Sequence, residues 1–159
     1  MPEDSYFSQE PTAEDAGNDI QTRKFLIFKI LDVEYGIDVR HVTDIVLMQR
    51  ITPLPRMPEY IKGLMNLRGK IIPLMDVRLR FELDAKDYDD KTSIIVLSYN
   101  EEVIGLIVDT VCEVIDLPKS SVLPPPQISK GAGNRFIQGL GDVGERLMIL
   151  LDVGRLLHD

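Results

Sequence analysis

The chain states one pattern twice. Phe25–Phe28, Tyr35–Val39 and Val42–Ile45 recur 69 residues later as Ile94–Leu97, Ile104–Val108 and Val111–Val114. The second part of the unit, Ile61-Lys-Gly63-Leu64 through Ile71-Ile-Pro-Leu74-Met-Asp76-Val77, returns 76 residues on. There it reads Ile137-Gln-Gly139-Leu140 through Leu147-Met-Ile-Leu150-Leu-Asp152-Val153. The change of offset inserts seven residues into the second copy, within the loop-prone stretch Pro124–Asn134. Solenoids repeat many times at 20–50 residues; two copies of about 65 residues instead specify two similar small units packed together. Such a duplicated scaffold offers a groove between its halves, better suited to binding than to bond chemistry.

Within each copy the signals are those of short strands. Phe25–Ile30 runs through the turn-prone Leu31–Glu34 into Tyr35–Asp38, a hairpin. One helical turn near Asp38–His41 precedes a strand from Val42. Pro53, Pro55 and Pro58 forbid a helix interior or a central strand, so 51–58 is a rigid loop. A single turn is expected at Glu59–Lys62, ending at Gly63. Leu64–Leu67 and Ile71–Met75 flank Arg68-Gly69-Lys70, a hairpin turn in which Gly69 supplies positive φ. Asp76 caps a short helix Val77–Phe81, and Asp152 caps its counterpart through Leu157. Strands are expected near 93–99, 103–108, 111–116, 136–143 and 146–151. Many short strands punctuated by Gly and Pro indicate small β-barrels. The acid-rich stretch 82–91 reads as the linker between copies spanning about 23–81 and 92–158. Residues 1–22, polar and aperiodic, read as a disordered tail.

With 44% hydrophobic residues in 159, the chain has material for a substantial core. No apolar run of membrane-spanning length occurs, so direct membrane insertion is not expected. The first residues carry no secretory pattern, and the single cysteine, Cys112, fits a reducing cytoplasm. Cys112 aligns with Thr43 in the first copy and reads as a small apolar filler on a strand. The net charge of −8 is unevenly spread. Glu3, Asp4, Glu10, Glu14, Asp15 and Asp19 stand in a tail without Lys or Arg; residues 23–81 hold 11 basic and 6 acidic residues, and 82–159 hold 7 and 14. An acidic chain is a poor partner for nucleic acid. Oppositely charged parts suit steering toward different protein surfaces.

The chemical motifs fail on inspection. Gly139-Leu-Gly141-Asp-Val-Gly144 has the spacing of a dinucleotide fingerprint, but an apolar strand follows it, and the remaining 15 residues cannot supply a βαβ unit. Gly63 through Gly69-Lys70 resembles a P-loop with one residue too many and Ile71 in the magnesium-binding position. His41, His158 and Cys112 offer no zinc-type spacing. No nucleophile–base pair is evident, so neither an enzyme nor a cofactor or metal is expected.

At Tyr35-Gly-Ile-Asp-Val39, at Ile61-Lys-Gly-Leu-Met-Asn-Leu-Arg-Gly-Lys-Ile-Ile-Pro-Leu-Met-Asp-Val-Arg78, and at the closing Gly139-Leu-Gly141…Leu147–Val153, the chain resembles the CheW family of bacterial chemotaxis coupling proteins. The resemblance covers about 23–158. It implies a mainly β fold of two pseudo-symmetric five-stranded SH3-like β-barrels with short helices. It also implies a cytoplasmic adaptor joining the tips of methyl-accepting chemoreceptors to the regulatory domain of the histidine kinase CheA, in rings of CheW-like modules. Receptor-contact positions of the family match Val42, Gly63 and Arg68, and Asp44 stands where a glutamate is common, with the same charge and shorter reach. Alternatives are a CheW-like regulatory module of another two-component pathway, serving pili or another output, or a small nucleotide-binding enzyme.

Overall fold

A strand with one face in water alternates apolar and polar residues, whereas a continuous apolar run needs cover on both faces. Phe25–Phe28 and Ile94–Leu97 are such runs, and every residue in them is buried. The structure, a computed structural model, describes residues 22–125 and 135–159. In it, Phe25 and Ile27 pack with Leu117, Met148 and Leu150. Ile94 and Val96 pack with Met65, Ile72, Leu74 and Ile107. The alternate residues Leu26, Phe28 and Ile30, with Ile95 and Leu97, enter a third and larger cluster that also holds Val42, Val108, Phe81, Phe136 and Leu156. Each barrel therefore has its own interior, and the opposite face of its strands builds a shared core between the barrels.

The elements follow the order β1 (Thr22–Ile30), β2 (Val33–Asp38), a 3-10 turn (Val39–His41), β3 (Val42–Leu47), β4 (Ile61–Leu67), β5 (Lys70–Asp76) and α1 (Val77–Arg80). The second copy contributes β6 (Ser93–Tyr99), β7 (Glu102–Val108), β8 (Thr110–Pro118), a 3-10 turn (Lys119–Ser121), β9 (Val122–Leu123), β10 (Ile137–Val143), β11 (Arg146–Leu151) and α2 (Val153–His158). Both helices are capped as expected: Leu79 N–H donates to Asp76 Oδ1 at 3.3 Å and Arg155 N–H to Asp152 Oδ1 at 3.1 Å.

The strand order is β8-β1-β2-β11-β10-β9 in one sheet and β3-β6-β7-β5-β4 in the other. Replacing each strand by its counterpart in the other copy turns the first five strands of one sheet into the other sheet. The chain thus forms two pseudo-symmetric SH3-like barrels, with β9 as a short addition to one. The copies have exchanged hairpins. β1–β2 joins strands of the second copy through the parallel β2–β11 pair, and β6–β7 joins strands of the first through the parallel β5–β7 pair. One barrel is thus continuous in sequence from Val42 to Val108, while the other is assembled from both ends of the described chain. The segments 23–81 and 92–158 describe the repeat in sequence and not the barrels in space.

Three local expectations change. The turn before Gly63 is confined to Glu59-Tyr60, and β4 already begins at Ile61. In the β4–β5 turn Arg68 shares the left-handed backbone with Gly69, φ 52° and 87°, the geometry that matches strand twist in a two-residue hairpin. Cys112 is exposed on β8, as Thr43 is on β3, so it is not a core filler. The expected tail up to 21 and residues 126–134 of the inserted loop lie outside the described residues, while Thr22 already belongs to β1. No helix among the described residues is long and apolar enough to cross a membrane.

Candidate functional site

The two edges of the five-stranded sheet are β3 and β4, and closing the barrel requires them to meet. Two contacts do this. Thr52, in the proline-rich loop after β3, exchanges backbone hydrogen bonds with Leu64 of β4, both at 2.8 Å. Arg68, in the turn after β4, places Nη1 2.6 Å from Oδ2 of Asp44 on β3. The other carboxylate oxygen of Asp44 accepts from the Ile45 N–H at 2.9 Å, fixing its orientation. A register shift between Val42 and Asp44 lets both the core residue and the acid sit correctly on one strand.

Of the four residues matched from sequence, Asp44 and Arg68 are brought together and the other two serve differently. Val42 is only 3% exposed and belongs to the inter-barrel core, so its side chain cannot be a surface contact. Gly63 does permit a close backbone approach, but the approaching backbone is the chain's own. A Cβ at Gly63 would lie 2.1 Å from Thr52 O and 2.8 Å from Pro53 Cα, and φ there is +144°. Gly63 thus belongs to the seam itself, and Val42 to the core shared by the barrels.

The surface of the seam is mixed. Arg68 is 69% exposed, and its guanidinium has donors to spare beyond the one given to Asp44. Leu47, Met57 and Ile71 are large exposed apolar residues on the same stretch of chain. Arg50, Arg56, Lys62 and Lys70 have no ion-pair partner among the described residues. Exposed apolar and cationic side chains of this kind are suited to docking another polypeptide.

Several structural residues were not singled out from sequence. Arg146 contacts Glu113 of edge strand β8 at 3.2 Å and Glu34 of β2 at 3.1 Å. Glu113 is the counterpart of Asp44 at the 69-residue offset, a signal the repeat carried. At the first crossing between barrels, Asp38 receives Arg23 at 3.0 Å and Arg40 at 2.9 Å. Burial pushes the Asp38 pKa up, but hydrogen bonds from Arg40 and Arg23 outweigh it and hold it below the ordinary carboxylate value. At the second crossing Arg78 grips Asp109 with two hydrogen bonds, and Leu31 N–H adds a third at 2.8 Å. There too burial raises the Asp109 pKa and the Arg78 and Leu31 donors more than reverse it. Arg80, 4% exposed, lies between the rings of Tyr60 and Phe136, 4.6 Å from each centroid, and donates to Leu156 O at 2.8 Å.

The motifs with catalytic overtones occupy non-catalytic geometry. Gly139, Gly141 and Gly144 belong to the β10–β11 hairpin, and Gly63–Lys70 to the β4–β5 hairpin, so neither meets a helix N-terminus. The Cys112 thiol is pushed up by partial burial and by Glu34, away from a reactive thiolate. His41 packs edge-on against Tyr99 at 5.2 Å, while His158 reaches Glu102 at 3.1 Å.

Comparison with known proteins agrees with this geometry. The CheW-like domain family matches residues 24–159. Chemotaxis protein CheW of Klebsiella aerogenes is 38% identical over 135 residues, covering 85% of this chain and 81% of that protein. Chemotaxis protein CheW of Treponema pallidum is 32% identical over 145 residues, covering 89% and 85%. The crystal structure of the scaffolding protein TtCheW from Thermoanaerobacter tengcongensis superposes with a TM-score of 0.80 at 32% identity, covering 87% of this chain and 94% of that one. No enzymatic family is indicated. By sequence over nearly its whole described length and by fold, the chain belongs to the CheW family of chemotaxis scaffold proteins.

Proposed function

We propose that this scaffold couples the cytoplasmic tips of methyl-accepting chemoreceptors to the regulatory domain of the histidine kinase CheA, and that receptor tips dock on the barrel seam around Asp44 and Arg68. The observation that supports this most is the Asp44–Arg68 pair, with Arg68 solvent-exposed and the carboxylate oriented by the Ile45 N–H. A helix docks by setting apolar residues against such a surface with polar partners at its margin. Arg68 supplies a forked donor for helix carbonyls or a carboxylate. Gly63 contributes by making room for Thr52 at the seam, and Val42 by packing β3 into the core between the barrels. Contacts with the kinase and with other CheW-like modules use the barrel ends, and the protein joins receptor arrays in the cytoplasm through these partners.

The test is Arg68→Glu, which sets a second carboxylate beside Asp44. An exposed ion pair contributes about 0–1 kcal/mol, so the fold persists. Receptor-tip affinity is expected to fall by about 2 kcal/mol or more, roughly 30-fold, as for an interface hot spot. Binding to the kinase regulatory domain should change far less. Equal loss of both partners, measured by calorimetry on the folded variant, would overturn the assignment.

A further inference from the structure

We propose that the β1–β2 hairpin is exchangeable between two molecules of this chain, giving a dimer in which each hairpin completes the partner molecule's composite barrel, the one assembled from both ends of the described chain. Outside the hairpin its strand partners lie far along the sequence: β1 pairs with β8, and β2 with β11. Phe25 and Ile27 fill the composite barrel beside Leu117, Met148 and Leu150. Leu26, Phe28, Ile30 and Ile37 enter the core between the barrels. Lys24 and Glu34 add ion pairs to Asp116 and Arg146. A second molecule's hairpin offers the same strands, side chains and charges, so exchange replaces these contacts in kind.

The hinge is local. Among the described residues the hairpin comes first, so one crossing ties it to the elements that follow. That crossing is the 3-10 turn Val39–His41, which holds no fully buried residue. Its flanks are already extended, Asp38 at φ −64°, ψ 125° and Val42 at φ −86°, ψ 125°. Opening the turn into strand costs the hydrogen bond from Arg40 N–H to Asp38 at 2.9 Å, the Val42-to-Val39 backbone bond, and part of the packing of Val39 on the shared core. The Arg23–Asp38 pair joins β1 to β2 and travels with the hairpin. The β6–β7 hairpin, by contrast, is held on both sides. Before it, Tyr88 donates to Asp76 at 2.7 Å and Thr92 N–H to Asp89 at 3.1 Å; after it, Arg78 and Leu31 N–H hold Asp109.

Concentration decides between the two forms. A hairpin tethered to its own chain acts at an effective concentration in the millimolar range. The closed monomer therefore dominates in micromolar solution, and exchange becomes substantial when the chain refolds at millimolar concentration. Leaving β8 and β11 requires the hairpin to unfold from its barrel, so each form persists for as long as unfolding takes. The barrel that carries Asp44 and Arg68 runs from Val42 to Val108 within one molecule and is unchanged by exchange, so the dimer carries two seams. That consequence, unlike the exchange itself, rests on the seam being the receptor-facing surface.

The experiment reads which molecule supplies the hairpin. Lys24 of β1 and Asp116 of β8 are direct cross-strand partners on the surface, and such partners have Cα atoms about 4.5–5.5 Å apart, within disulfide range. The full chain with Cys112→Ser, Lys24→Cys and Asp116→Cys is unfolded in urea with reductant, refolded at about 10 µM and at about 1 mM, then oxidised. At the higher concentration at least about a fifth of the chain should elute at twice the monomer mass and remain a covalent dimer on a non-reducing denaturing gel. At the lower concentration the disulfide should close within single molecules. A dimer that separates into single chains on that gel is a side-by-side association and overturns the exchange. Monomer alone at about 1 mM, or equal cross-linking by either single-cysteine variant, also overturns it. Deleting Val39–His41 leaves β2 running straight into β3 and should raise the dimer fraction at about 10 µM at least about five-fold, because a shortened hinge favours swapping. An exchanged dimer that binds no receptor-tip helical hairpin would uphold the exchange and refute the receptor-docking reading. Receptor binding by a chain that stays monomeric throughout would refute the exchange alone.

Discussion

Replacing Gly63 by Ala tests whether the seam is built as described. The added Cβ would meet Thr52 O at 2.1 Å and Pro53 Cα at 2.8 Å, distances at which backbone must move. A non-glycine residue held at φ +144° also costs on the order of 1–3 kcal/mol. Moving Thr52 away breaks the two 2.8 Å hydrogen bonds with Leu64, each contributing about 0.5–1.5 kcal/mol. Together these give a destabilisation of about 2–6 kcal/mol, a large share of the roughly 5–15 kcal/mol available to a domain. At about 2–4 °C per kcal/mol for a chain of this size, Tm falls by about 5–25 °C. The control is Gly69→Ala. Its φ is +87°, but a Cβ there has no atom within 4 Å, so backbone strain alone acts, about 1 kcal/mol. Thermal and urea unfolding followed by circular dichroism compares the two variants. If Gly63→Ala is no more destabilised than Gly69→Ala, the Thr52 contact does not hold the seam and the argument from Gly63 fails. The outcome also bears on receptor binding, because any loss seen in a Gly63 variant must first be corrected for its unfolded fraction.

Three further outcomes are expected. Asp38 and Asp109 have folded-state pKa values held below the ordinary carboxylate value, so their stabilisation is complete above about pH 4 and lost as pH falls through the folded values. Asp109→Asn should therefore make acid unfolding shallower than in the parent chain; an unchanged slope in a pH titration of urea midpoints contradicts this. Arg80→Ala should cost about 2–4 kcal/mol in chemical denaturation, from the lost stacking with Tyr60 and Phe136 and the Leu156 carbonyl left unpaired, and a change under 1 kcal/mol would remove its bracing role. If oppositely charged surfaces steer association with the kinase domain, the on-rate should fall as salt shortens screening below about 8–10 Å, with appreciable affinity remaining; stopped-flow rates independent of salt would exclude steering.

Much of this protein is legible in the sequence because the physics is local or periodic. The run Phe25–Phe28 and its copy Ile94–Leu97 demanded cover on both faces, Asp76 and Asp152 announced helix starts, and the spacing of Gly and Pro located the turns. The equivalence of Asp44 and Glu113 was also present in the 69-residue offset, waiting only for knowledge of what each contacts. Other features were decided by tertiary pairing. The two copies carry nearly the same register, so β1–β2 can complete either copy's remaining strands with the same pattern of buried residues; alternation fixes which face is inward but not which distant strand lies alongside. Only the fold shows that the hairpins are exchanged and that one barrel runs continuously from Val42 to Val108. The same limit governs the site. A valine and a glycine near an exposed arginine look like surface contacts in one dimension, yet Val42 points into the core shared by both barrels and Gly63 yields its space to Thr52. Burial depends on what chain returns from elsewhere, which no local pattern contains.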